Sequence, residues 1–142
     1  MLGPWIVTAI LAAAPATPVS VVQAPDSPVR LDQAKVLNTD GSPWVLLYAA
    51  HNLTDTALDQ FTVTVFVFDK ERRLKARQTA PGRRTLDAKD TKFSAMVLDV
   101  GGIEPSDSLM VGVDQAQRVN SDDWWRADLR TIAEAAAKSP QK

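Results

Sequence analysis

From residue 29 to residue 116 apolar and polar positions alternate in short runs divided by turn residues, the period-two signature of strands half-buried in a sheet. Val29 to Leu37 is a weak first strand, closed by Asn38-Thr39-Asp40-Gly41. Pro43 to His51 is firmer: Val45, Leu47 and Ala49 face one way, Trp44, Leu46 and Tyr48 the other. Both faces are apolar, so a central strand covered on each side is expected. Phe61 to Asp69 is the clearest. Phe61, Val63, Val65 and Val67 form a core face, while Thr62, Thr64, Phe66 and Phe68 form a second face whose far end needs cover. Lys70-Glu71-Arg72-Arg73 supplies a turn, and Leu74 to Thr79 returns as a charged, edge-like strand. After Pro81-Gly82, Thr91 to Val100 and Ser108 to Ala116 add two more strands, separated by Gly101 to Pro105.

The period then changes. Trp125, Leu129, Ile132, Ala133 and Ala136 recur at helical spacing, with Ser121, Asp122 and Asp123 as cap candidates and Pro140 as a stop. The spacing predicts a helix over 121–138, docked on the sheet and covering Phe66 and Phe68. Neighbours on a helix diverge by about 100°, so Trp124 and Trp125 cannot share a face. On that geometry Trp125 is an anchor and Trp124 the ring left for a sugar or a partner. Taken together, the pattern predicts a mainly β chain: an Ig-like antiparallel β-sandwich over 29–120 with one C-terminal amphipathic α-helix.

Ahead of the strands, Trp5 to Ala14 is an apolar run of the length of a signal-peptide core. Ala14-Pro15-Ala16 fits a small-x-small cleavage pattern, although no basic residue precedes the run. Residues 1–16 are therefore expected to be a signal peptide and 17–28, rich in Pro and Ala, a linker, which gives a secreted or periplasmic protein. No run reaches the roughly 20 apolar residues of a membrane-spanning helix, so no transmembrane anchor is expected. A net charge of −1 gives no electrostatic ground for nucleic acid. The absence of cysteine excludes disulfides, thiol catalysis, thiolate metal sites and a lipidated cysteine.

Between Val45 and Val100 the chain resembles FxLyD, a family of small exported Ig-like domains. Val45-Leu46-Leu47-Tyr48-Ala49-Ala50-His51-Asn52-Leu53-Thr54 is similar to its strand ending in an Asn-x-polar turn, and Val65-Phe66-Val67-Phe68-Asp69 to its naming motif. Thr85 to Ser94 is similar to its later leucine, turn and Phe-led strand. Glu71-Arg72 stands where that family carries a glycine turn, and the C-terminal helix is outside the motif. The resemblance implies a sandwich that binds or spaces at the cell surface, and it brings no catalytic residues.

A search for chemistry yields little. His51 is the sole histidine and sits at a strand end, and no serine lies in a nucleophile elbow. Asn120, Asp122 and Asp123 lack the spacing of a calcium loop, so no metal or cofactor is expected. Asn52-Leu53-Thr54 matches a glycosylation triplet and is taken as a chance match. Asp69, Glu71, Asp99 and Asp114 supply acids for a carboxylate-based hydrolase, the competing reading. The charge pattern says more: Lys70, Arg72, Arg73, Lys75, Arg77, Arg83 and Arg84 face one acid, Glu71. The expectation is a non-catalytic binding or structural domain of the envelope. It would hold an envelope protein or an anionic polymer through Trp124 and the basic residues Arg72, Arg73, Lys75, Arg77, Arg83 and Arg84. A further alternative is a subunit that docks into an envelope complex through its C-terminal helix.

Overall fold

The computed structural model describes residues 16–38 and 43–138, with side chains from residue 19 onward. The strands are β1 (Ala16–Pro18), β2 (Ser20–Val21), β3 (Val29–Leu37), β4 (Trp44–Asn52), β5 (Leu58–Phe68), β6 (Leu74–Pro81), β7 (Thr91–Leu98), β8 (Ser108–Arg118) and β9 (Trp124–Arg126). The helix α1 (Leu129–Lys138) follows. One sheet runs β1-β3-β4-β7; the other runs β2-β8-β5-β6, with β9 also on β8. β3, β4 and β7 thus lie against β6, β5, β8 and β9, the Greek-key order of an Ig-like sandwich. All pairings are antiparallel except β2 with β8.

Alternation decides the core. Phe61, Val63, Val65 and Val67 are all within 1% of complete burial, facing Leu31, Val36, Leu46, Tyr48, Met96 and Leu98 from the other sheet. On the reverse of β5, Phe66 and Phe68 are equally buried, in a second cluster with Met110, Leu129, Ala133 and Ala137. The helix therefore does cover the two phenylalanines, with Leu129, Ala133 and Ala137 spaced one turn apart along its buried stripe. That stripe is engaged on the chain's own sheet.

Three expectations are corrected. First, the helix begins at Leu129, not at Ser121, and Trp124–Arg126 is a strand. Asp128 is the cap, its carboxylate accepting from the Thr131 N–H (3.2 Å) and the Thr131 hydroxyl (2.7 Å). The aromatic pair fits a strand as well as a helix, and β9 fills the length of β8 beside Gln115–Gln117. Second, the stretch 17–28 is part of the sandwich, not a linker. β1 pairs with β3 in one sheet, β2 crosses to β8 in the other, and Val22 and Ala24 are buried in the helix cluster. The signal-peptide expectation falls on residues 1–15, which lie outside the described residues, and on Ala16, which opens β1. Third, β4 is central in its sheet but unequally covered: Leu46 and Tyr48 are buried in the core, whereas on the other face Ala49 is buried and Val45 and Leu47 are only half-buried. Across from Val45 and Ala49, the β7 residues Val97 and Phe93 are 55% and 62% exposed, because α1 packs on the opposite sheet.

Two glycines record how close the layers come. A Cβ on Gly112 would stand 2.5 Å from the Val22 carbonyl oxygen and 3.0 Å from Leu129 Cδ2, so a bare backbone is what lets helix and N-terminal segment share β8. A Cβ on Gly82 would stand 2.1 Å from the Phe61 ring.

Candidate functional site

A cavity of about 410 Å³ lies at one end of the sandwich. It is walled by three stretches of chain far apart in sequence. Asp26, Ser27 and Pro28 come from the β2–β3 connection; Thr54 and Leu58 from the β4–β5 turn and the start of β5. Ala116, Arg118, Ser121, Asp123, Trp124 and Trp125 come from the end of β8 through β9.

Each wall is tied down. Ser27 Oγ donates to the Val29 carbonyl at 2.8 Å, and the Leu53 N–H reaches the Pro28 carbonyl at 2.8 Å. Asp26 and Asn120 both take a left-handed φ of 62°, a conformation that Asp and Asn accept more readily than other side chains. Asn52 is fully buried at the base of the β4–β5 turn. Its Nδ2 donates to the carbonyls of Thr56, Leu86 and Asp87, and its Oδ1 accepts from the Thr54 N–H and hydroxyl. The glycosylation triplet is thus a structural knot with no accessible amide. On the far wall Gln60 Nε2 donates to Gln117 Oε1 (2.7 Å), Gln117 Nε2 to the Ser121 carbonyl (2.8 Å), and the Asp123 N–H to Ser121 Oγ (3.0 Å).

The strand geometry of β9 redefines the tryptophans. Trp124 and Arg126 share one face, and the guanidinium of Arg126 lies over the Trp124 ring at 5.5 Å from its centroid, held by a bond from its Nε to Gln115 Oε1. Trp125 points the other way and packs against both core clusters, bridging the sandwich interior and the helix layer. Both side chains are half-buried, and the two residues border the cavity from opposite faces of β9. Trp124, the ring expected to be free for a ligand, borders this cavity. Ser121 and Asp123, read as helix caps, are lining residues, and nothing in the sequence singles out Asp26 or Arg118.

The basic residues are not brought together. Arg72 and Arg73 sit at the β5–β6 turn, where Arg72 has a φ of 67°, at the end of β5 away from Leu58 and the cavity. Lys75 is paired with Asp107 at 2.6 Å and lies 3.9 Å from Glu104. Arg77 lies over β5 beside Phe66, lining a smaller cavity with Asp114, Asp128 and Arg130. Arg83 Nη1 donates to the Phe93 carbonyl, and Arg84 Nη2 pairs with Asp59 at 3.0 Å. Their positive charge is strung along the full length of β6 and is in good part balanced locally.

Asp107 shows how that balance works. Burial pushes its carboxyl up, but the hydrogen bond from Lys75, a second from the Glu104 N–H and the ammonium charge outweigh it and hold the group below the usual carboxylate range. Two of the four candidate acids have structural duties: Asp69 accepts from the N–H groups of Glu71 and Arg73, and Asp114 accepts from the Thr62 hydroxyl. His51 Nδ1 is 2.7 Å from Thr91 Oγ1, a cross-strand bond between β4 and β7. Among the described residues there is no group of three or more potential metal ligands, and no helix is long and apolar enough to cross a membrane. Comparison with family models, with curated proteins and with solved structures finds no match to the chain.

Proposed function

We propose that the chain is a non-catalytic binding module of the cell envelope, secreted or periplasmic, and that the cavity beside Trp124 and Trp125 holds its ligand. The observation that carries this reading is the cavity itself. Trp124 and Trp125 border, with charged residues, a space of about 410 Å³, within the range of roughly 300–1,000 Å³ usual for small-ligand sites. Support for an envelope setting comes from the apolar run at Trp5–Ala14 and from the resemblance to exported FxLyD domains, whose sandwich layout suits the strand order found. The basic residues of β6 are a weaker basis for recognition, since Lys75, Arg83 and Arg84 are already engaged.

The test is co-sedimentation of the folded chain with isolated bacterial envelope fractions. Retention is expected for the wild type and for an Arg73→Ala/Arg77→Ala double variant, and is expected to be lost in Trp124→Ala. Retention that survives Trp124→Ala but fails in the arginine variant would move recognition to β6 and overturn the reading.

A further inference from the structure

The polar groups around the cavity divide into those with structural work and those without. The hydroxyls all have partners: Ser27 Oγ donates to the Val29 carbonyl, Thr54 Oγ1 to Asn52 and the Thr56 carbonyl, and Ser121 Oγ accepts from the Asp123 N–H. Five groups remain. Among the described residues no hydrogen bond or ion pair engages the carboxylates of Asp26 and Asp123, the guanidinium of Arg118 or the indole N–H groups of Trp124 and Trp125. No side-chain polar atom is buried without a partner, so both indole N–H groups reach solvent.

These groups discriminate by charge. An anionic ligand meets two carboxylates and one guanidinium. A cationic one is drawn by the two carboxylates but must share them with Arg118, and it finds Arg126 already over Trp124. A wholly apolar ligand strips water from three charged groups and returns no hydrogen bonds, which is costly for each of them. What fits is a neutral molecule with an apolar face for the Trp124 ring and several hydroxyls around its edge. Hydroxyls both donate and accept, so they satisfy carboxylates on one side and guanidinium or indole N–H on the other. A pyranose ring has this form, with a C–H face and an equatorial rim of hydroxyls.

We infer that the cavity takes a neutral saccharide, with room for roughly one or two sugar rings. Trp124, the ring not packed into the core clusters, supplies the stacking surface, Asp26 and Asp123 accept from ring hydroxyls, and Arg118 donates. The assignment rests on the reading of this cavity as the binding site.

The experiment is an array of neutral and acidic oligosaccharides probed with the folded wild-type chain, with binding to the retained sugars then measured by titration calorimetry. Neutral di- and trisaccharides are expected to bind, and uronic or sulfated ones to bind more weakly. Trp124→Ala is expected to lower affinity at least tenfold. Asp123→Asn, which keeps the size of a side chain without structural work, is expected to lower it several-fold with an unchanged unfolding curve. An array that is blank for neutral sugars, or that prefers acidic ones, would overturn the saccharide assignment; if envelope retention still depended on Trp124, the cavity would stand as the site of another ligand. Retention independent of Trp124 would remove both.

Discussion

Asn52 offers the sharpest test of how the cavity end is built. Its amide has two hydrogens shared among three carbonyls, and its oxygen accepts twice from Thr54. Replacing it with Ala removes these bonds, but the carbonyls are not orphaned. Leu86 O still receives the Leu58 N–H, Asp87 O the Asp90 N–H and Thr56 O the Thr54 hydroxyl. The loss is therefore the net worth of about four hydrogen bonds, roughly 0.5–1.5 kcal/mol each, with the Thr54 N–H the one group left without a partner. A cost of about 2–6 kcal/mol follows, a large share of the roughly 5–15 kcal/mol that holds a typical domain. Asn52→Asp is nearly the same size and preserves the acceptor for Thr54, yet it aims a carboxylate oxygen at three carbonyls in a site with no exposure. Its folded-state pKa is raised above the unfolded value near 3.9. A raised acid is tolerated below the unfolded pKa and destabilises as pH rises through the folded one. Asn52→Asp should thus be less stable than Asn52→Ala at about pH 7 and should recover toward it at about pH 3. Urea unfolding at both values, with unchanged m, measures this. A loss under about 1 kcal/mol for Asn52→Ala, or wild-type stability for Asn52→Asp at neutral pH, would refute the account.

Gly112→Ala should cost roughly 1–3 kcal/mol, because its methyl must displace either the Val22 carbonyl or Leu129; protection of the α1 amides from hydrogen exchange should fall with it. Trp125→Ala should lose about 3–5 kcal/mol in urea, since the ring bridges both clusters, whereas Trp124→Ala should lose clearly less; equal losses would contradict the strand geometry of β9. The Asp107 carboxyl, held low in the fold, contributes stability that is present above about pH 3.9 and is lost as pH falls through its folded value. Asp107→Asn should therefore be less stable than wild type at neutral pH, with the gap closing in acid; a gap independent of pH would mean the Lys75 pair is not its source.

Where burial follows from alternation, the sequence is legible. Phe61 to Phe68 states both of its faces in eight residues, and β3 through β8 all lie where their patterns place them. The errors come where local signals agree with two structures. Trp125 stands four residues before Leu129, so it continues a helical stripe on paper; the open flank of β8, a feature of the assembled sheet, makes it a strand. Pro15, Pro18, Pro25 and Pro28 read as linker, yet Val22 and Ala24 between them are needed to cover β8. The cavity was beyond reach for a related reason. Asp26, Thr54, Arg118 and Asp123 meet because three connections share one end of the sandwich, and no spacing along the chain encodes that meeting.

The crossing of β1 and β2 between sheets also sets an order of events. Ser20 and Val21 pair with Met110 and Val111, and Val22 packs in the cluster that contains Leu129. These are the most sequence-distant contacts of the main sheets, and closing so long a loop costs entropy that nearer pairings avoid. β3–β4 and β5–β6 can form as hairpins while the chain is still being made, but β2 finds its seat on β8 only after Met110 and Val111 have emerged. Until then β2 has no strand to pair with, although β1 already has β3 beside it, so the two halves of the N-terminal stretch are set in place by loops of very different length.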